Sequence, residues 1–270
     1  MNVSPRPATG RSATTHPGHG SKPHSDETRS VAVLKVGGSV LTGPQAFRRV
    51  AAFIGERLVQ RAGERLVIVV SAENGTTDRL FATAAEIVAE PDGPTMDLLW
   101  STGETHSAAL LALHLQARGI RAAAANIHQT GLVEPDHAEQ PGRSSVRPLR
   151  LLSMLDDYEV VVAPGFLARG SGDRIVSLGR GGSDLTAVLL AAGLRASRCE
   201  LVKDVPGYFT SDPKRDPDAR PVAALSFARA LELADQGCQL VQRHALVAAR
   251  DRALPLLVRA LGGTDATLVT

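Results

Sequence analysis

Five short apolar runs constrain what this chain can fold into: residues 31–36 (Val-Ala-Val-Leu-Lys-Val), 66–70 (Leu-Val-Ile-Val-Val), 160–162, 200–202 and 256–258. They lack the apolar-polar alternation of a strand with one wet face. Such runs fit strands buried on both sides, as in a parallel sheet held between helical layers. The stretches between them supply the helices. Phe47, Val50, Ala51, Ile54 and Leu58 recur at helical spacing. Further helices are predicted over 78–90, 98–117, 148–155, 226–234 and 238–252, with another strand at 122–126. The expected fold class is α/β, a three-layer αβα sandwich with a largely parallel central sheet. Ligands bind such sheets at the carboxyl ends of the strands, where this chain carries Gly37, Ser71, Gly165 and Asp204.

With 270 residues, 43% of them hydrophobic, the chain can bury a full core. Residues 1–29 are rich in Pro, Ser, Thr, His and Gly, with neither a hydrophobic period nor a signal-type apolar stretch. They are predicted to form a disordered tail, leaving 30–270 as the folded domain. A net charge of +2 is spread along the chain and aromatics make up only 3%, which argues against a nucleic-acid partner. No apolar run reaches the length of a membrane span. Small anionic ligands fit better. Cys199 and Cys238 stand apart without a CxxC, as expected of reduced thiols in a cytoplasmic protein. No metal-ligand cluster is evident, and the tail histidines His16, His19 and His24 are irregularly spaced. The polar residues 134–145 read as an excursion over the surface, a hairpin or a mobile flap near the site.

The residues fit for chemistry gather in a few glycine-bearing segments. Leu178-Gly179-Arg180-Gly181-Gly182-Ser183-Asp184 follows a short strand-like run and opens an apolar helical one. Its glycines let backbone approach an anion, and the helix start aims N–H groups and a positive dipole end at it. Lysine is scarce, with only Lys22, Lys35, Lys203 and Lys214 among 30 Lys and Arg residues. Lys35, beside Gly37-Gly38-Ser39, puts a compact ammonium where a transferred phosphoryl group would gather charge. An edge lysine before an ordinary turn is the plainer reading. The loop from Ser71 to Thr77 offers two hydroxyls to one ligand, or a helix cap at Thr76 or Thr77. Ser101-Thr102-Gly103-Glu104 fits a capping box with Ser101 at the N-cap, and Asp212-Pro213 fits a plain turn.

In this order, these segments resemble the motifs of aspartokinases, within the amino acid kinase superfamily, over roughly residues 31–269. The resemblance implies an amino acid kinase (carbamate kinase-like) fold, acid-binding up to about residue 195 and nucleotide-binding beyond it. The implied activity is ATP-dependent phosphorylation of the side-chain carboxylate of L-aspartate or a close analogue to an acyl phosphate. Lys35 and Asp184 become the catalytic pair, the lysine on the γ-phosphate and the aspartate organising it. Ser71, Thr77, Glu104, Arg180 and Ser183 become acid-binding, with Glu104 on the ammonium and Arg180 on the α-carboxylate. Gly37, Gly38, Ser39, Gly181, Gly182, Lys203, Asp204, Tyr208, Asp212 and Lys214 fall around the nucleotide and its phosphates. Mg²⁺ carried mainly by those phosphates, and a homodimer, belong to the same expectation. The similarity is to a catalytic domain alone, without the C-terminal ACT domains aspartokinases usually carry, which implies no built-in feedback unless a separate regulatory partner supplies it.

Three departures stand out. Where aspartokinases typically read Gly-Ala-Lys-Val-Leu-His-Pro-Arg, this chain has Gly237-Cys238-Gln239-Leu240-Val241-Gln242-Arg243-His244, so Gln239 replaces a lysine that contacts the nucleotide phosphates. Lys214 stands for an arginine, and Gly165-Phe166-Leu167-Ala168 lacks the usual glycine-containing continuation. Loss of one phosphate cation costs on the order of a hundredfold in rate, which Arg243, Lys214 or Lys203 would have to offset. Two further readings stay open: a kinase of the same fold acting on another small carboxylate or phosphate, and a nucleotide- or amino-acid-binding regulatory homologue with little turnover.

Overall fold

The computed structural model describes residues 30–43, 45–134, 144–179, 181–213 and 215–270. The tail predicted for 1–29, the centre of the polar excursion, Arg180 and Lys214 lie outside the described residues. The first half runs β1 (Val31–Val36), α1 (Ala46–Gln60), β2 (Arg65–Val70), α2 (Thr76–Ile87), α3 (Gly93–Gln116), β3 (Ala122–Ala124), α4 (Ile127–Thr130), β4 (Leu132–Val133) and β5 (Ser145–Val146). The second runs α5 (Leu149–Asp157), β6 (Val160–Pro164), β7 (Leu167–Arg169), β8 (Ile175–Ser177), α6 (Gly182–Gly193), β9 (Arg198–Lys203), β10 (Ala224–Leu225), α7 (Phe227–Asp235), α8 (Arg243–Arg250), β11 (Leu256–Ala260) and β12 (Ala266–Val269).

Eight strands form one sheet in the order β10-β12-β11-β9-β1-β2-β6-β3, and a small sheet has the order β5-β4-β7-β8. From β11 across to β3 every neighbouring pair in the large sheet is parallel. β12 runs antiparallel to β11, and β10 follows β12. Side chains alternate through the pleat into two cores. Val33, Val67, Val69, Val161 and Leu201 pack with Leu185 and Leu189 of α6 and Leu246 of α8. Leu34, Leu66, Ile68 and Val162 pack with Val50 and Ile54 of α1 and Leu111 of α3. Both faces are dry, which is why these strands read as unbroken apolar runs. Truncating one of these leucines to alanine costs about 2–5 kcal/mol. Glu200 of β9 breaks the pattern and is neutralised locally. Arg57 of α1 donates to Glu200 at 2.7 Å and to Glu64 at 2.6 Å.

Three helix starts differ from those predicted. α3 begins at Gly93 because Asp92 caps it, accepting from the Thr95 N–H at 3.0 Å, and Pro94 sits in the first turn, where its missing N–H costs nothing. The Ser101 capping box is thereby excluded: Ser101 lies mid-helix and its hydroxyl donates to the Leu98 carbonyl at 2.7 Å. α2 begins at Thr76 behind Gly75, whose φ of 75° sets the entry, and no threonine side chain caps it. α8 is confined to Arg243–Arg250, leaving 238–242 as an irregular segment.

The strand order places β2, β6 and β3 on one side of β1, and β9 and β11 on the other. The winding therefore reverses between β1 and β9, and a crevice opens there at the carboxyl edge.

Candidate active site

Lys35, next to last in β1, lies on the same face as Val33 and reaches the first turn of α6. Its Nζ lies 3.0 Å from Asp184 Oδ1. From the neighbouring strand end, Lys203 Nζ donates to Asp184 Oδ2 at 2.8 Å and to Oδ1 at 3.0 Å. Asp184 is 2% exposed. Burial alone would raise its pKa, but the ammonium groups of Lys35 and Lys203 outweigh that and hold it at about 2. Burial draws the pKa of Lys203 down, Asp184 opposes this, and Lys35 adds to it. An edge lysine before an ordinary turn does not fit Lys35, which is buried against Asp184.

The cluster forms the floor of a cleft of about 540 Å³. Gly38, Ser71, Thr77, Glu104, Gly181, Gly182 and Ser183 line it together with Lys35, Asp184 and Lys203. Gly103 lets α3 approach the loop after β2, for a Cβ there would sit 3.0 Å from Ala72 Cβ and 3.2 Å from Thr76 Cγ2. That approach brings Glu104 to the Ala72 N–H, which donates to its Oε1 at 3.3 Å. Glu104 Oε2 is buried with no hydrogen-bond partner among the described residues. Burial pushes its carboxyl up to about 7, against the Ala72 hydrogen bond. A carboxylate in this state is stabilised by a cation arriving from the cleft. Opposite it, Gly181 holds φ at 77° as the N-cap of α6, and Gln242 packs so closely that a Cβ on Gly181 would collide with its side chain.

A second cavity of about 650 Å³ lies beyond the end of β9, with Asp204, Tyr208, Asp212 and Gln239 in its walls. Lys203 and Asp204 are consecutive, and each lines one of the two spaces. Ser39 donates to Asp204 at 3.1 Å, tying the first glycine turn to this seam. Tyr208 is buried, and burial drives its hydroxyl pKa upward. Gly37 is not among the residues lining either cavity; its N–H donates to the Val202 carbonyl at 3.3 Å. Arg243 is engaged by Asp235 at 2.7 Å.

The model of the amino acid kinase family matches residues 30–260. The chain belongs to that family. Among curated relatives, the aspartokinase of Geobacillus stearothermophilus is 35% identical over 229 residues, 85% of this chain and 56% of that protein. The aspartokinase of Thermus thermophilus is 36% identical over 230 residues, with the same 85% and 56% coverage. The chain spans about half the length of the curated relatives it matches. Among solved structures, aspartate kinase from Synechocystis superposes with a TM-score of 0.78 at 35% identity, covering 89% of this chain and 40% of that one. E. coli aspartokinase III, in complex with aspartate and ADP, gives a TM-score of 0.73 at 25% identity, with 89% and 65% covered. UMP kinase from Bacillus anthracis, 20% identical with a TM-score of 0.64, shares the fold.

Trp100 and Gln242, which line the cleft of the Lys35–Asp184 cluster, escaped sequence reasoning, whereas Phe166, which lines it too, was marked there by its departure from the motif. Trp100 and Phe166 meet edge to face with ring centroids 6.1 Å apart, and Phe166 holds a left-handed φ of 69°. Trp100 is the sole tryptophan and directly precedes the Ser101–Glu104 motif, a cue that was available. Gln242 carried none, because its reach over Gly181 depends on where α8 starts.

Proposed function

We propose that this amino acid kinase transfers the γ-phosphoryl group of ATP to the side-chain carboxylate of L-aspartate or a close analogue, giving an acyl phosphate. One observation carries the reading: the buried Lys35–Asp184–Lys203 cluster lies in a cleft that also holds the Glu104 carboxylate, one oxygen of which has no partner among the described residues, and that cleft adjoins a second cavity at the end of β9. The amino acid enters the cleft. Glu104 receives its ammonium, Ser71, Thr77 and Ser183 offer hydroxyls to its carboxylates, and the family resemblance assigns the α-carboxylate to Arg180, whose guanidinium suits a bidentate partner. ATP enters the second cavity, seated by Asp204, Tyr208 and Asp212, with its phosphates reaching Gly38, Gly181 and Gly182, and the family resemblance adds Lys214 as a nucleotide contact.

The substrate carboxylate attacks the γ-phosphorus in line. Its oxygen bonds to phosphorus as the bond to ADP breaks, and no covalent enzyme intermediate is needed. Catalysis rests on alignment and on charge stabilisation by Lys35, which Asp184 holds in place. The exposed carboxylate of Asp204 at the seam fits a phosphate-borne Mg²⁺, which would neutralise charge on the phosphate oxygens. A homodimer in the cytoplasm belongs to the same reading; among the described residues no helix is long and apolar enough to cross a membrane.

A coupled ADP-release assay with hydroxamate trapping, run across aspartate, glutamate and N-acylated aspartate, tests the proposal. Aspartate should turn over and give a hydroxamate, and N-acylation should abolish the reaction by removing the cation that Glu104 requires. Folded protein that turns over none of these acids overturns it. Gln239 in the second cavity favours one other reading, a binding protein with little turnover. Tight ATP binding without ADP release distinguishes it.

A further inference from the structure

Two ammonium groups share one buried carboxylate where the two cavities adjoin. Asp184 carries one negative charge, so with Lys35 and Lys203 both charged the cluster holds an uncompensated positive charge that water screens poorly. Lys35 alone would satisfy Asp184. The Lys203 side chain, 11% exposed, is costly to bury unless it meets an anion beyond Asp184. Its surroundings show where such an anion would come from. Lys203 lines the acid cleft, and the next residue, Asp204, opens onto the second cavity. In that cavity the place of the phosphate-contacting lysine is taken by Gln239, and Arg243 is turned to Asp235.

We infer that Lys203 is a second catalytic cation, which shares with Lys35 the charge of the phosphoryl group in transfer and supplies from the end of β9 the charge that Gln239 does not supply from the loop. The inference rests on the phosphoryl-transfer reading above. Lys203 Nζ donates hydrogen bonds to phosphoryl oxygens while the acceptor oxygen bonds to phosphorus and the bond to ADP breaks. No proton passes through it. Binding of the anion offsets the burial and the Lys35 repulsion that draw the pKa of Lys203 down.

The experiment compares wild type, Lys203→Gln, Gln239→Lys and the double variant by steady-state kinetics with aspartate and by calorimetric affinities for ATP and ADP. Glutamine keeps a donor for Asp184 but removes the charge. Lys203→Gln should lower kcat by about a hundredfold, leave KM for aspartate nearly unchanged, and reduce the preference for ATP over ADP. Gln239→Lys should raise kcat far more in the Lys203→Gln background than in wild type. Unchanged kcat and ATP preference in Lys203→Gln would reduce Lys203 to a brace for Asp184 and overturn the inference, as would equal gains from Gln239→Lys in both backgrounds. If Lys203→Gln does not fold, Lys203→Met is measured against the same criteria. A wild type that turns over no acid sinks the functional reading instead, and the ATP-to-ADP ratio still decides the role of Lys203.

Discussion

Asp184 and Glu104 are both buried carboxylates in one cleft, and their surroundings drive them in opposite directions. Burial raises both, but Asp184 has two ammonium neighbours and is held at about 2, below the ordinary 3.8. Its contribution to stability is therefore complete above about pH 4 and is lost as pH falls through its folded pKa. Asp184→Asn leaves two buried ammonium groups without a counter-charge. We expect a loss of about 3–5 kcal/mol in urea unfolding at pH 7 and no measurable phosphoryl transfer. Glu104 has only backbone N–H groups, of Ala72 and its own, to oppose its burial and rises to about 7 from 4.5. Between those values the folded state binds more protons than the unfolded one, so the ligand-free protein should lose stability as pH rises, by up to roughly 3 kcal/mol. Urea titrations at pH 5, 6, 7 and 8 should show that slope in wild type and not in Glu104→Gln. The residue types of this site were legible in sequence because lysine is scarce and the motifs are ordered. The pairing of Lys203 with Asp184 was not, since the direction of a strand-end side chain depends on register.

At the scale of elements, buried strands were easier to read than helix starts. A strand with two dry faces announces itself by uninterrupted valine and isoleucine, and 31–36 and 66–70 were placed within a residue of β1 and β2. Helix starts depend on which of several competing caps wins. Ser101-Thr102-Gly103-Glu104 satisfies the capping-box pattern, yet Asp92 and Pro94 start α3 earlier, and Glu104 lies mid-helix and lines the cleft. Likewise Leu240 and Val241 continue a helical period, but 238–242 stays irregular and lines the two cavities. The start of α6 is fixed by Gly181, whose φ is 77° and which lies against Gln242. Gly181→Ala imposes both left-handed strain and a collision. A loss of about 2–4 kcal/mol is expected from the two together, with weaker ATP binding. Gln242→Ala added to it should relieve the collision and leave the strain, so the double variant should recover only part of the loss in thermal and urea unfolding.

Across the whole molecule, the reversal of winding between β1 and β9 sets two cavities side by side over one sheet edge. The strand pattern predicted the layers and the edge, though not which strands would be neighbours there, because sequence order does not reveal that β9 inserts beside β1. The same arrangement gives the protein an optical handle. Its single tryptophan, Trp100, stands in the wall of the cleft that holds Lys35 and Glu104, with its indole nitrogen buried and its ring edge-on to Phe166. Intrinsic emission excited at the red edge therefore originates from one spot. Titrating aspartate should shift or quench it saturably, while ADP alone should leave it nearly constant, so that occupancy of one half of the site is counted without a label or a coupling enzyme.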